Sequence, residues 1–405
     1  MIKTVKAPHI YLPKAGVDMS KYAVIACDQY TSDPLYWNSL KEEVGDSVST
    51  LHMIYPEVYL ESTNNDEYVA GINKNIKKYL AEGSLLDIGE SIILVERVTS
   101  FGVRRLGLVL AVDLEDYSYL KGSNAKIKAS EATIVERIPP RLRIRKDAPI
   151  ELPHVLLLFD DKEKSIVEPL YASRDKLEKV YDFELNKNGG HIRGYKVNDP
   201  SKVVKQFSDL YEKNNNGLLF IVGDGNHSLA TAKAHWENIK KELPSEELEN
   251  HPARFALVEV NNIYDEGIIF EPIHRVLFNI NGDFADKLAN YCHGEYRSYT
   301  YSLDDDKLPL NLPKSAPEAY LMVQTFIDEY MKSHPEVKID FIHDEEALID
   351  ICQKNEGSLG IIMPALGKDD LFDYISKDLT LPRKSFSMGH ANEKRYYLEA
   401  KKIIK

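Results

Sequence analysis

Cysteine is scarce in this sequence: 405 residues contain three, Cys27, Cys292 and Cys352, far apart and without a Cys-x-x-Cys pair. That disfavours a disulfide scaffold and a cysteine zinc site, and it suits a reducing cytoplasm. No apolar run is long enough to span a bilayer, and Met1 to Pro8 has no hydrophobic signal core. The expectation is a cytoplasmic protein with no membrane partner. Positive charge is in deficit too. The formal net charge of −13 argues against a nucleic-acid partner, although it leaves room for a local basic pocket. Several enzyme signatures are missing as well. There is no Gly-Lys-Ser/Thr of a Walker loop, no dinucleotide glycine fingerprint, no Gly-x-Ser-x-Gly elbow and no zinc-helix histidine pair.

What is present is a globular composition, 43% hydrophobic and 28% charged, with length enough for two domains. The expected fold is mixed α/β (α+β), two-lobed, with mixed sheets. An N-terminal lobe is expected over 1–150 and a C-terminal lobe over 151–405. Apolar periodicity predicts helices over 66–80, 202–211, 284–291 and 316–333. Strands are expected near 91–98, 104–112, 114–120, 254–260, 268–277, 338–343 and 358–363. Ser100-Phe101-Gly102 and Lys187-Asn188-Gly189-Gly190 read as hairpin turns. Gly389 and Asn392 are read as caps of a last helix reaching Ile404.

The most informative stretch runs from Leu218 to Lys233. An apolar strand ends at Val222, and helical spacing begins at Leu229, with Asp224, Asn226 and Ser228 as candidate N-caps. Gly223 and Gly225 permit positive φ and close approach of a ligand to the backbone. A helix start offers unpaired amides and partial positive charge, which suit a phosphate. Beside those amides stand a carboxylate, an amide, an imidazole and a hydroxyl: Asp224, Asn226, His227 and Ser228. The competing reading is an ordinary strand–helix turn.

A second stretch, Ala129 to Arg145, contains Pro139-Pro140, which forbids a continuous helix. In an extended segment Arg141, Arg143 and Arg145 would share one side, ready for an anionic ligand or for acidic neighbours. Glu131 and Glu136 are candidate partners for them, or a base and a metal ligand. Elsewhere, Asp28 and the Asp160-Asp161 pair end strands, where carboxylates either shape turns or hold a cation such as Mg²⁺. His274-Arg275 lies in an apolar strand and reads as a core pair or as ligand-binding.

Taken together, Glu131-Ala132-Thr133 with Glu136 to Arg141, Gly223 to Ala232, and Ile273-His274-Arg275 resemble the large bacterial family known as domain of unknown function 1015. Gly389-His390-Ala391 followed by Glu393-Lys394-Arg395 looks like that family's ending. The resemblance covers nearly the whole chain. Many members carry Asp-Gly-His-His-Arg at the central motif, whereas this chain has Asp224-Gly225-Asn226-His227-Ser228 and so lacks a phosphate-binding arginine. The motif is similar to the Asp-Gly-His turn of free-serine kinases built on the ParB/sulfiredoxin fold. In that wider group the turn and its helix start hold phosphates. Some members of the family are linked to phosphorylation of free L-serine, the donor being a nucleotide or pyrophosphate.

The resemblance therefore implies a small-molecule phosphotransferase using ATP, ADP or pyrophosphate and Mg²⁺, most specifically a kinase of free L-serine. Such chemistry needs anion-cradling amides, cations, a metal ion and a base. Gly225, Asn226 and Ser228 are the expected phosphate cradle, with Arg137, Arg141, Arg143, His274 and Arg275 supplying charge. Asp224 and Glu136 share the roles of base and metal ligand, and the sequence does not separate them. His227 is a candidate donor to a phosphate oxygen, and Asp28 a candidate for the substrate ammonium. The alternative is a nucleotide- or phosphate-binding regulatory protein without turnover.

Overall fold

The computed structural model describes residues 2–25, 30, 33–59, 65–280, 282–303, 307–377 and 379–405. Asp28 lies outside them. The chain divides into two compact units, one of Met1–Ala129, Thr133–Ile268 and His390–Lys405, the other of Ser130–Ala132 and Ile269–Gly389. Both are mixtures of helices and sheets. Among the described residues no helix is long and apolar enough to cross a membrane.

The first unit is built on a ten-stranded mixed sheet. Its order is Glu178–Leu185, Gly190–Lys196, Ile93–Val98, Arg104–Asp113, Phe255–Asn262, Leu156–Phe159, Phe220–Asp224, Ile127–Ala129 and Tyr117–Ser118, with Val5–Lys6 alongside Arg104–Asp113. Strands from both sides of residue 150 are thus interleaved in one sheet. Both expected hairpins form, pairing Ile93–Val98 with Arg104–Asp113 and Glu178–Leu185 with Gly190–Lys196.

Alternation of side chains across the pleat gives this sheet two apolar faces. Leu94, Leu106, Leu108, Leu110 and Val112 join one core, into which Phe207 and Trp236 project from helices Pro200–Asn214 and Asn226–Ile239. Ile93, Val95 and Val109 join a second core, with Trp37 and Leu40 of helix Pro34–Val44 and Ile72 and Ile76 of helix Asn65–Ala81. Each such fully buried apolar side chain stabilises by about 1.5–3 kcal/mol. A sheet buried on both sides explains why Leu156–Phe159 and Phe220–Val222 read as unbroken apolar runs.

The second unit contains an antiparallel five-stranded sheet in the order Leu308–Leu312, Tyr296–Tyr301, Leu359–Ile361, His274–Phe278 and Lys338–Ile342. Its longest helix is Ala316–Ser333, which buries Tyr320, Val323 and Ile327. A second short sheet pairs Phe270–Pro272 with Phe386–Met388.

Two local expectations are corrected. The arginine segment is a helix, Ile138–Arg145, because its prolines occupy the first turn, where no backbone N–H is needed. Steps of two residues on a helix advance by about 200°, so Arg143 turns away from Arg141 and Arg145 instead of joining them. The final helix does not form either. A 3₁₀ turn at Ala391–Glu393 gives way to extended chain, and Lys401–Lys402 pairs with Ile150–Glu151. Bridges of Tyr397 to Val24 and of Ala400 to Tyr11 stitch this tail into the first unit.

Candidate functional site

The strand Phe220–Asp224 runs parallel to Ile127–Ala129 and antiparallel to Leu156–Phe159. Its register against the latter shifts between Val222 and Asp224. Such an irregularity re-aims the side chains at a strand's end. Gly225 follows with φ 88° and ψ 27°, a left-handed conformation. A Cβ there would also lie 3.0–3.1 Å from Val155, so glycine is required twice over. Helix Asn226–Ile239 then starts with Gly225 itself as N-cap, and no side chain caps it. The expected caps are thus replaced by a bare glycine, which leaves the first-turn amides facing outward from the end of the strand.

Asp224 does not cap because its carboxylate is engaged elsewhere. Oδ1 accepts the Gly225 N–H at 2.8 Å, and Oδ2 stands 3.5 Å from Nζ of Lys394. Lys394 is 8% exposed and arrives from the C-terminal segment. Buried arginines hold that segment in place. Arg97 donates to the carbonyl oxygens of Asn392, Glu393, Lys394 and Gly189, and Arg105 donates to Glu393 O at 3.1 Å. Arg395 pairs with Glu259 at 3.1 Å and Glu399 at 2.6 Å, and it also donates to Pro153 O. The next residue, His154, has Nδ1 2.7 Å from the Tyr397 hydroxyl and Nε2 3.4 Å from Ser228 Oγ.

Two other members of the motif are fixed more locally. The His227 ring nitrogen Nε2 accepts the Ile134 N–H at 3.3 Å, and its carbonyl accepts Thr231 Oγ1 at 2.7 Å. Asn226 Oδ1 is buried with no hydrogen-bond partner. An unmet buried acceptor is costly, of the order of 1–3 kcal/mol.

The sequence-derived candidates are thus distributed unevenly. Asp224, Gly225, Asn226, His227 and Ser228 share one turn. Helix Ile138–Arg145 packs on helix Asn226–Ile239, yet its cations are directed to protein groups. Arg141 donates to Arg137 O at 2.9 Å, Arg143 lies 3.7 Å from Asp66, and Arg145 pairs with Glu151. Arg137 and Glu136 are exposed on the 3₁₀ turn Val135–Arg137.

His274 and Arg275 belong to the second unit and serve its interior. His274 Nδ1 accepts the Met363 N–H at 3.1 Å, and burial holds its pKa below the ordinary value. Arg275 is fully buried and donates to the carbonyls of Ile273 and Lys384, with its guanidinium 4.8 Å from the Tyr320 ring centroid. Desolvation lowers its pKa to about 10. Glu131 accepts the N–H groups of Lys384 and Ser385 at 3.1 and 3.0 Å, and its pKa is raised because burial outweighs those bonds. Asp161 is a turn former, accepting Ser165 N–H at 2.6 Å and Ile166 N–H at 3.2 Å.

Three residues near the turn were not among the expected site residues: Lys394, His154 and Tyr397. Lys394 carried a signal, since it lies in the Glu-Lys-Arg ending. His154 and Tyr397 carried none, because only the folded chain brings them to Ser228. Among the described residues no group of three or more His, Cys, Asp or Glu side chains is placed to hold a metal ion.

The model of the family described as "Protein of unknown function (DUF1015)" matches residues 11–403, and the chain belongs to that family. No curated protein matches it significantly. Among solved structures, the chain is similar to a free serine kinase variant in complex with ADP, at 9% identity and a TM-score of 0.40, covering 73% of this chain and 92% of that one. It is similar to a conserved hypothetical protein from Pyrococcus furiosus, at 11% identity and a TM-score of 0.34, covering 72% and 90%. It is also similar to SbnI with a C-terminal truncation from Staphylococcus aureus, at 11% identity and a TM-score of 0.38, covering 69% and 82%.

Proposed function

We propose that this chain is a small-molecule phosphotransferase that moves a phosphoryl group from a nucleotide or pyrophosphate to the hydroxyl of a small amino acid, free L-serine first among them. The observation that carries the reading is the uncapped helix start at Asn226, preceded by an Asp224 carboxylate paired with Lys394. The amides of that first turn suit the donor's phosphate oxygens. Lys394 supplies a positive charge beside the transferred group, as cations do in other phosphoryl transfers. Asp224 takes the proton of the attacking hydroxyl as the new O–P bond forms and the donor's bridging P–O bond breaks. The family resemblance of the motif is consistent with this chemistry.

One carboxylate beside an ammonium is no dedicated magnesium cage. Magnesium bound to donor phosphates needs only one or two protein carboxylates, and Asp224 and Glu136 are the candidates for that contact. Three scattered cysteines fit a cytoplasmic location.

The test is phosphorus-31 NMR on the full chain with Mg²⁺, L-serine and, in turn, ATP, ADP and pyrophosphate. A new phosphomonoester signal that is lost in Asp224→Asn is expected. Donor signals that shift without turnover would make the protein a phosphate-binding regulator instead, and unchanged spectra would overturn both readings.

A further inference from the structure

Ser228 stands at the third helical position after Gly225, close to the uncapped end, with its Oγ 3.4 Å from His154 Nε2. The other ring nitrogen of His154 lies 2.7 Å from the Tyr397 hydroxyl. A hydroxyl within reach of an imidazole, whose far nitrogen is fixed by a third group, is the general arrangement of an activated nucleophile, and the nucleophile–base distance is often somewhat long before substrate binds. The three residues come from separated parts of the chain, and two of them are tied down independently. The Pro153 carbonyl next to His154 accepts from Arg395, and the Tyr397 N–H donates to Val24 O at 2.9 Å. Ser228 makes no cap for its own helix. The neighbouring amides would serve an oxyanion as they would serve a phosphate.

We propose that Ser228 is a nucleophile that accepts the phosphoryl group covalently, with His154 as its base and Tyr397 as a positioning residue. This rests on the phosphotransferase reading and adds to it an intermediate and a second base. With His154 Nδ1–H donating to Tyr397, Nε2 takes the Ser228 proton as the Oγ–P bond forms. The bridging P–O bond of the donor breaks, and the remainder departs as the shorter phosphate or nucleotide. Hand-over to an incoming hydroxyl reverses the step, returning the proton from His154 to Ser228 Oγ. In that hand-over the acceptor O–P bond forms as the Ser228 Oγ–P bond breaks, and Asp224 takes the acceptor's proton in the same step.

Two reagents test this on the full chain. Incubation with Mg²⁺ and ATP, ADP or pyrophosphate, without L-serine, is expected to add the mass of one phosphoryl group to the peptide containing Ser228. A fluorophosphonate probe, which needs no donor site, is expected to form the Oγ–P bond at Ser228 and expel fluoride. Both adducts should vanish in Ser228→Ala and form about 100-fold more slowly in His154→Gln, the typical contribution of a general base. Tyr397→Phe should lower the limiting rate of probe labelling without changing its half-saturating concentration, a split that a loosened pocket would not give. Failure of the fluorophosphonate to modify folded Ser228, or equal rates in His154→Gln, overturns the relay. Phosphorylation of L-serine by Ser228→Ala at the wild-type rate also overturns it, while leaving the phosphotransferase reading intact.

Discussion

Nζ of Lys394 lies 3.5 Å from Oδ2 of Asp224, so the last strand residue before the Gly225 turn is paired with a cation from the C-terminal segment. The pair is largely withdrawn from water, with side-chain exposures of 10% and 28%. Such a charge acts on a bound phosphate more strongly than one at the surface, because little solvent screens it. Lys394→Met is therefore expected to lower kcat/KM for phosphoryl transfer by about 100-fold or more, the scale of removing one electrostatic contact to a transition state. Steady-state kinetics beside a thermal melt checks this: the melt should move much less than the rate.

Gly225→Ala should damage both stability and activity. The new Cβ meets Val155 at 3.0 Å, and φ of 88° is strained for alanine. A cost of about 1–3 kcal/mol is expected in urea unfolding. The strand-to-helix turn also reorients, so donor binding measured by calorimetry should weaken.

Arg97→Ala leaves the carbonyls of Asn392, Glu393, Lys394 and Gly189 without this donor in a buried setting. A loss of roughly 3 kcal/mol or more follows if several of them stay unmet. Arg97→Lys keeps the charge but not the planar fork, so it should recover only part of that loss. Denaturant midpoints of the two variants, ranked alanine below lysine below wild type, check the order.

Acid should weaken the first unit through His235, a buried residue of helix Asn226–Ile239. Burial, helped by the positive charge of Arg145, lowers its pKa to about 4; Glu151 and Asp147 oppose the shift and His251 adds to it. Between the ordinary histidine value of about 6.5 and that lowered value the unfolded chain binds the proton and the native chain does not. The contribution is whole above that window and is lost as pH falls through it. Stability measured from pH 7 to pH 4 should decline, and His235→Leu should flatten part of the slope.

Arg275→Met separates a structural role from an anion-binding one. With its donors already directed to Ile273 O and Lys384 O, its loss is expected to lower the unfolding temperature while leaving donor affinity near wild type. A large fall in donor affinity at unchanged stability would return Arg275 to the list of phosphate ligands.

Features that depend on neighbours in sequence were legible, and those that depend on distant neighbours were not. The helix Ala316–Ser333 and the strand–turn–helix around Asp224 follow from local periodicity and glycine placement. The helix Ile138–Arg145 was hidden by a rule applied at the wrong position, since proline forbids a helix interior but suits its first turn. The tail after Asn392 is rich in helix formers, yet its residues are extended because Val24, Tyr11 and Ile150–Glu151 offer them strand partners. The caps named around Asp224 were chemically reasonable, but the N-cap is Gly225, and the Asp224 carboxylate is taken by the Gly225 N–H and by Lys394. His154 reads only as the residue before an apolar strand until Tyr397 and Ser228 are folded against it.

The order in which the polypeptide is made gives the return of His390–Lys405 to the first unit a temporal meaning. When Gly389 has been added, every residue of the second unit has been synthesised. The first unit at that moment has its strands and the Asp224 turn, but not Lys394, Arg395 or Tyr397. Three of the four carbonyl partners of Arg97, those of Asn392, Glu393 and Lys394, are still to be made, while Gly189 is already present. A nascent chain halted before Lys394 would carry Asp224, the acid of the proposed site, without the cation that pairs with it.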